Sequence, residues 1–325
     1  MASRVASDTT EERWDATTRG GYWGHLLYLQ IIRLLGPRVA TLLLAPVVTF
    51  YLLVAGEARR ASMQYLARVL GPATWFGRWA RSWRHFMAFA TAYLDGTMLS
   101  VHGTKIFHTE HLGSHHVREI AAGGQGGVML TGHMGTWELS VGMLDEKHGI
   151  SRVAIVMFKS DAAQLQGFIE KLHGRRPRVI AVGDGELASL DIIRAVRDGE
   201  LVAMQGDRTV DTHDVVVPFF GADARWPVGP WVVAAVTGAP LLWSFAMRVG
   251  PRHYHFLTDP PRRFRFERGR PRDEQLKEWV KTYVTRIEEL LRQHPYQWYN
   301  FFDFWAAGHK LPARRPQSPV APPRP

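Results

Sequence analysis

His133 and Glu138, within Thr131-Gly-His-Met-Gly-Thr-Trp-Glu138, are of types and spacing suited to moving a proton. An imidazole changes protonation near neutral pH, and a carboxylate that holds one ring nitrogen sets the other to take a proton from a hydroxyl, otherwise a poor nucleophile. On a continuous helix, positions five apart differ by roughly 140° at about 100° per residue, so these side chains meet only across a turn. Gly132 and Gly135 supply the backbone freedom for one. The competing reading of the pair is a loop histidine bonded to Glu138 for structure alone.

Strands and helices are needed to position that loop. Val128-Met-Leu130 reads as a short buried strand leading into it, and a helix is expected to start near Thr136. The glycine run Gly123-Gly-Gln-Gly-Gly127 precedes the strand, whereas a nucleotide-binding loop follows one, so it reads as a turn. Further strands are expected over 152–157, 179–182, 201–204, 215–219 and 240–246, with helices over 161–172, 186–197 and 228–237 between them. The alternation predicts an α/β fold, a mixed central sheet flanked by helices. A last helix over 273–293 carries the apolar stripe Leu276, Val280, Val284, Ile287 and Leu291. The aromatics Trp75, Trp79, Trp83, Phe86, Phe89 and Tyr93 recur every three or four residues and predict one long helix over 72–99 with those rings in the core.

The organisation follows from composition along the chain: a polar segment 1–21, a helical region 22–99, an α/β domain 100–310, and a Pro/Arg-rich tail 311–325 too rich in proline to pack. The polar start does not read as a secretory signal. Two apolar stretches, 22–35 and 39–55, are separated by the breaker Gly36-Pro37 and suggest a helical hairpin. A core hairpin is the plain reading. Basic flanks and interfacial Tyr22, Trp23 and Tyr51 favour membrane association, either across the bilayer or within its interface.

Composition narrows the chemistry further. With no cysteine, thiolate metal sites, disulfides and a cysteine nucleophile are excluded. The formal charge of +10 favours anionic partners. Arg262, Arg263, Arg265, Arg268, Arg270 and Arg272, interleaved with Phe264 and Phe266, fit an anionic membrane surface or an acidic carrier protein, and no nucleic-acid recognition motif accompanies them. The cluster His108, His111, His115 and His116 lacks regular ligand spacing, so no metal is expected. Asp207 and Arg208 sit at the end of the 201–204 strand, on the same expected edge as His133; a structural ion pair is the alternative.

Four blocks resemble the lipid A late acyltransferase branch of the bacterial lysophospholipid acyltransferase superfamily. They are Gly132–Glu138, carrying His-X4-Glu; Gly206-Asp-Arg208 with Val217-Pro-Phe-Phe-Gly221; Ala234–Pro240; and His294-Pro-Tyr-Gln-Trp-Tyr-Asn-Phe-Phe302. The resemblance runs from about Tyr22 to Trp305. It implies direct transfer of a fatty acyl chain from an acyl carrier protein or coenzyme A thioester to a lipid hydroxyl, with no cofactor and no metal. His133 would be the base and Glu138 its orienting carboxylate. The branch carries an arginine where this chain has Lys159; Lys159, Arg175, Asp207 and Arg208 would then bind substrate, and Phe219 and Phe220 would line the acyl chain. A lipid A-type glycolipid at the cytoplasmic face of a bacterial inner membrane is the implied acceptor. Another lipid, such as a phosphatidylinositol mannoside, an ornithine lipid or a polyene lipid, is the alternative acceptor, and a non-catalytic membrane-docking relative the alternative class.

Overall fold

A computed structural model describes residues 39, 41–158, 177–182, 187–209 and 213–306. The polar start, the first arm of the expected hairpin, the helix expected over 161–172, Lys159, Arg175 and the proline-rich tail lie outside the described residues.

Among the described residues seven α-helices and nine strands lead in sequence order into the last helix: α1 (Thr41–Val54), α2 (Gly56–Leu70), α3 (Trp75–His102), β1 (His108–Leu112), α4 (Ser114–Ala122), β2 (Gly127–Thr131), α5 (Trp137–His148), β3 (Val153–Phe158), β4 (Arg178–Val182), α6 (Leu187–Arg197), β5 (Leu201–Gln205), β6 (Asp214–Phe219), β7 (Ala222–Pro227), α7 (Gly229–Thr237), β8 (Leu241–Gly250), β9 (His253–Thr258) and α8 (Arg272–Gln293), so that α4 to α7 are interspersed among the strands. Seven strands form one sheet in the order β1-β9-β8-β2-β5-β3-β4. Strands β8, β2, β5, β3 and β4 run parallel, and β9 and β1 run against them, so the sheet is mixed as expected. Central β2 is buried at every position, which is why its sequence reads as an unbroken apolar run.

Two differences concern strands. The 215–219 segment does not enter the main sheet but pairs with β7 in a separate antiparallel hairpin that packs on α8. Its tight connection puts Phe220 at φ 46° and Gly221 at φ 79°. Second, β1 and β9 were not anticipated as a pair: their sequences, His-Thr-Glu-His-Leu and His-Tyr-His-Phe-Leu-Thr, are half polar because one face is accessible.

Helix α8 follows its predicted stripe, with Leu276, Val280, Val284, Ile287 and Leu291 buried beside Tyr283. Each buried aliphatic side chain contributes about 1.5–3 kcal/mol before entropic costs. Acidic Asp273 and Glu274 occupy its first turn, where they favour the helix dipole.

The N-terminal helices are fastened to the sheet. Tyr65 and Leu66 of α2 belong to the main core, and Leu94, Met98 and Leu99 of α3 pack with Tyr254 and Phe256 of β9. Helix α3 begins at a Thr74 cap, whose hydroxyl accepts from the Gly77 amide at 3.2 Å, and ends at Gly103 with φ 71°. Helices α1 and α2 meet at a 96° bend, where Arg59 donates to the carbonyls of Leu52 and Leu53 at 2.7 and 2.9 Å. That basic residue therefore caps α1. One face of α1, Leu44, Val48 and Leu52, packs inward, the latter two against Phe86. Its other face is also apolar yet exposed, with Leu42 74% and Phe50 59% accessible. Among the described residues no single helix is long and apolar enough to cross a membrane. The aromatics of α3 divide: Phe86 is buried and Trp79 and Trp83 are partly covered, but Trp75, Phe89 and Tyr93 are exposed, contrary to the expectation that all six would be core, and Phe76 beside them is exposed too.

The arginine run after β9 is largely engaged within the fold. Arg262 lies over the Trp243 ring at 4.1 Å, Arg263 donates to Gln125 and to the Gly238 carbonyl, Arg270 pairs with Glu267 and Glu278, and Arg272 lies over Phe266. This segment braces the β8 edge and the start of α8.

Candidate active site

Strands β2 and β5 are parallel neighbours in register, Leu130 opposite Met204 and Thr131 opposite Gln205, so both release their chains at the same sheet edge. His133 leaves β2 there, and Asp207 leaves β5. Loops at the carboxyl ends of parallel strands are where such folds expose reactive groups.

Asp207 is the organising residue. Its Oδ1 lies 2.7 Å from His133 Nδ1, while Oδ2 accepts from the His133 amide at 2.9 Å, Trp298 Nε1 at 2.9 Å and Asn300 Nδ2 at 2.8 Å. The side chain is fully buried. Burial alone would push its carboxyl up, but the charge and hydrogen bonds of His133, with help from Arg208, overcome this and bring it down to about 2. Asp207 is thus an anion at neutral pH. Facing a pure acceptor, Nδ1 carries a proton, which in the neutral ring puts the basic lone pair on Nε2.

The loop around His133 is pinned on every side. Gly135 has φ 61°, and a Cβ there would stand 1.8 Å from the Ala246 carbonyl, so glycine is required twice over. Gly132 serves differently from expectation: its φ is not positive, but a Cβ would meet Asp207 Oδ2 at 3.3 Å and the Tyr283 hydroxyl at 3.4 Å. The Tyr299 amide donates to the His133 carbonyl at 2.7 Å, Gly135 donates to Gln297 at 3.0 Å and Thr136 to Ala246 at 3.1 Å. Tyr283 donates its hydroxyl to the Thr131 carbonyl at 2.6 Å. Thr136 also meets the Tyr254 hydroxyl, which donates to Asp95 of α3; Arg248 Nε binds the same carboxyl oxygen at 3.2 Å. Burial raises the Asp95 carboxyl against these partners.

The N-terminal helices reach the site through His85. Its Nε2 donates to the Trp298 carbonyl at 2.7 Å and its Nδ1 lies 3.0 Å from Ser62 Oγ. Burial lowers the imidazole to about 4, against the raising effect of the Trp298 bond, so it is neutral. Trp298 then donates to Asp207, giving a continuous path from α2 and α3 to His133.

Glu138 falls in the first turn of α5, beyond the turn the spacing required; its side chain lies outside the described atoms. The carboxylate on Nδ1 is Asp207, and sequence reasoning had given it no orienting role. Arg208 donates to Asn300 Oδ1 at 2.7 Å and to the Tyr299 carbonyl at 3.2 Å, bracing the segment that braces Asp207. Phe219 is fully buried among Trp226, Trp298, Phe304 and Trp305. Phe220 is partly accessible, its amide donating to Glu288 at 2.6 Å and its ring under Arg292. Trp298, Asn300, Tyr283, Tyr254 and Asp95 were not singled out from sequence, although the block 294–302 contains the first two.

The five-stranded parallel part of the sheet thus carries a histidine–carboxylate pair at its carboxyl edge, backed by an aromatic cluster, in a chain with no cysteine. The chain belongs to the family of bacterial lipid A biosynthesis acyltransferases, whose model matches residues 9–306. It is similar to proteins named phosphatidylinositol mannoside acyltransferase from two strains of Mycobacterium tuberculosis, at 29% identity over 40% of this chain and 41% of the relative. The same name belongs to a relative from Mycolicibacterium smegmatis, at 25% identity over 53% of this chain and 57% of the relative. The match thus spans from about two fifths to just over half of these relatives' length.

Proposed function

We propose that the protein transfers a fatty acyl chain from a thioester to a hydroxyl of a glycolipid. The observation that carries this reading is the buried, ionised Asp207 holding His133 Nδ1 at 2.7 Å. With Nδ1 so held, Nε2 takes the proton of the acceptor hydroxyl as its oxygen attacks the thioester carbonyl. A C–O bond forms, the C–S bond breaks, and the imidazolium returns the proton to the leaving thiolate. No acyl-enzyme is needed. Glu138, one turn away in sequence, is assigned to the same imidazole's charge balance. Lys159 and Arg175 are assigned to phosphates of donor or acceptor, with the donor either an acyl carrier protein or coenzyme A.

The family favours a phosphorylated glycolipid acceptor. The named relatives favour one of the phosphatidylinositol mannoside type over one of the lipid A type. The all-round apolar surface of α1 and exposed Trp75 and Phe76 support attachment to a membrane, placed by this reading at the cytoplasmic face of a bacterial inner membrane.

The test is thioester consumption by purified protein offered each acceptor class, with lipid mass spectrometry of the products. Acyl transfer to either lipid that His133→Ala abolishes supports the proposal. Transfer undiminished in a folded His133→Ala protein, or no transfer to any lipid hydroxyl, overturns it.

A further inference from the structure

The histidine-rich stretch after α3 is divided by the fold, and part of it meets residues from far along the chain. His111 stacks on Phe256 and lies 3.1 Å from His148, and His115 and His116 lie against each other at the start of α4. His108 and Glu110, by contrast, share the accessible face of edge strand β1. The parallel pairing sets His108 beside His253 and Glu110 beside His255. Alternate residues of a strand lie about 6.6 Å apart and paired strands about 4.8 Å apart, so these four side chains form one compact square.

We propose that His108, Glu110 and His253 bind a divalent transition-metal ion of the zinc class, with His255 orienting the carboxylate. Ligand atoms of the three lie within 4.8 Å of one another, close enough to converge on one ion after side-chain rotation. His253 Nε2 is 3.2 Å from Glu110 Oε1, matching the ~3.4 Å that separates ligands about a tetrahedral zinc with bonds near 2.0–2.1 Å. His255 Nε2 sits 3.3 Å from the other oxygen, Oε2, the second-sphere arrangement that fixes a ligating carboxylate. Two imidazoles with one carboxylate select zinc-like cations over magnesium or calcium, which prefer all-oxygen shells. No other such grouping of three occurs among the described residues. The ion would tie edge strand β1, which pairs with β9 alone, to the sheet, and water would complete its shell. The site is separate in sequence and role from the proton transfer at His133.

The test uses tag-free, chelator-stripped full-length protein titrated with Zn2+ by calorimetry and with Co2+ by visible absorption. One equivalent should bind with a Kd of about 10 µM or tighter, with the absorption of low-coordinate cobalt, and zinc should raise Tm by a few degrees. Glu110→Gln and His253→Ala should each weaken binding at least about tenfold and abolish the zinc-dependent part of Tm, while His115→Ala with His116→Ala should change neither. Glu110→Gln is isosteric and exposed, so a folding defect does not obscure the outcome. Wild-type binding weaker than about 100 µM, or undiminished binding in either site variant, overturns the proposal.

Discussion

Asp207→Asn separates the orienting role of Asp207 from its place in the packing. Asparagine keeps the shape, and its carbonyl oxygen can occupy the Oδ2 position, still accepting from the His133 amide, Trp298 Nε1 and Asn300 Nδ2. The amide NH2 then replaces Oδ1 and offers protons where His133 Nδ1 now has an acceptor 2.7 Å away. Nδ1 must become the acceptor, the ring proton moves to Nε2, and the base is lost. Restoring the productive tautomer would break one buried hydrogen bond and oppose two donors, a cost of about 3–5 kcal/mol, so turnover should fall roughly 10²–10⁴-fold. KM should be little changed, because Asp207 is fully buried and meets no solvent. The fall of its carboxyl from 3.8 to about 2 puts the native state's hold on the anion at about 2 kcal/mol, and a stability loss of that order is expected. Steady-state thioester consumption in detergent, beside thermal melts, reads both. A folded Asp207→Asn enzyme with turnover within about threefold of wild type would show that His133 does not depend on this tautomer, and the mechanism would fail.

Trp298→Phe should keep the aromatic cluster but remove one donor to Asp207, costing about 1–2 kcal/mol in melting and roughly tenfold in turnover. Gly135→Ala should lose at least about 3 kcal/mol, or fail to fold, because its Cβ meets the Ala246 carbonyl at positive φ. His85 is buried neutral: its folded value is about 4 against 6.5 when exposed, so the unfolded chain binds the extra proton between those values. Its contribution is complete above pH 6.5 and declines by about 1.36 kcal/mol per pH unit as pH falls to about 4, some 3 kcal/mol in all; His85→Gln should flatten that segment of the stability–pH curve. Phe50→Asp with Leu42→Asp, both on the exposed face of α1, should shift the protein from vesicle pellet to supernatant without lowering Tm, whereas equal partition would place membrane attachment elsewhere.

What the sequence disclosed tracks how locally each feature is encoded. The strand β2 and helix α8 announce themselves because complete burial and a 3.6-residue stripe are written into consecutive residues. The break between β2 and α5 was legible in the glycines Gly132 and Gly135 and in the helix start expected near Thr136. Strands β1 and β9 were hidden because alternate polar residues on an accessible sheet face look like loop, and the α3 rings misled because helical spacing reports a shared face without saying what covers it.

The pairing of His133 with Asp207 marks the sharper limit. Glu138 is five positions from His133 and invites the assignment, whereas Asp207 lies 74 positions away and becomes its neighbour because β2 and β5 are adjacent and in register. A residue pattern can single out a histidine, but which carboxylate it meets is decided by strand order, and strand order is a property of the packed sheet. The same logic explains why Trp298 and Asn300, from the far end of the chain, are needed at all. A buried carboxylate with two oxygens requires donors beyond one imidazole, and the segment after α8 supplies two of them while its backbone clamps the histidine loop through Tyr299. Truncation at residue 293 should therefore abolish activity even with every strand of the sheet retained, by leaving Asp207 buried and short of two of its four hydrogen bonds.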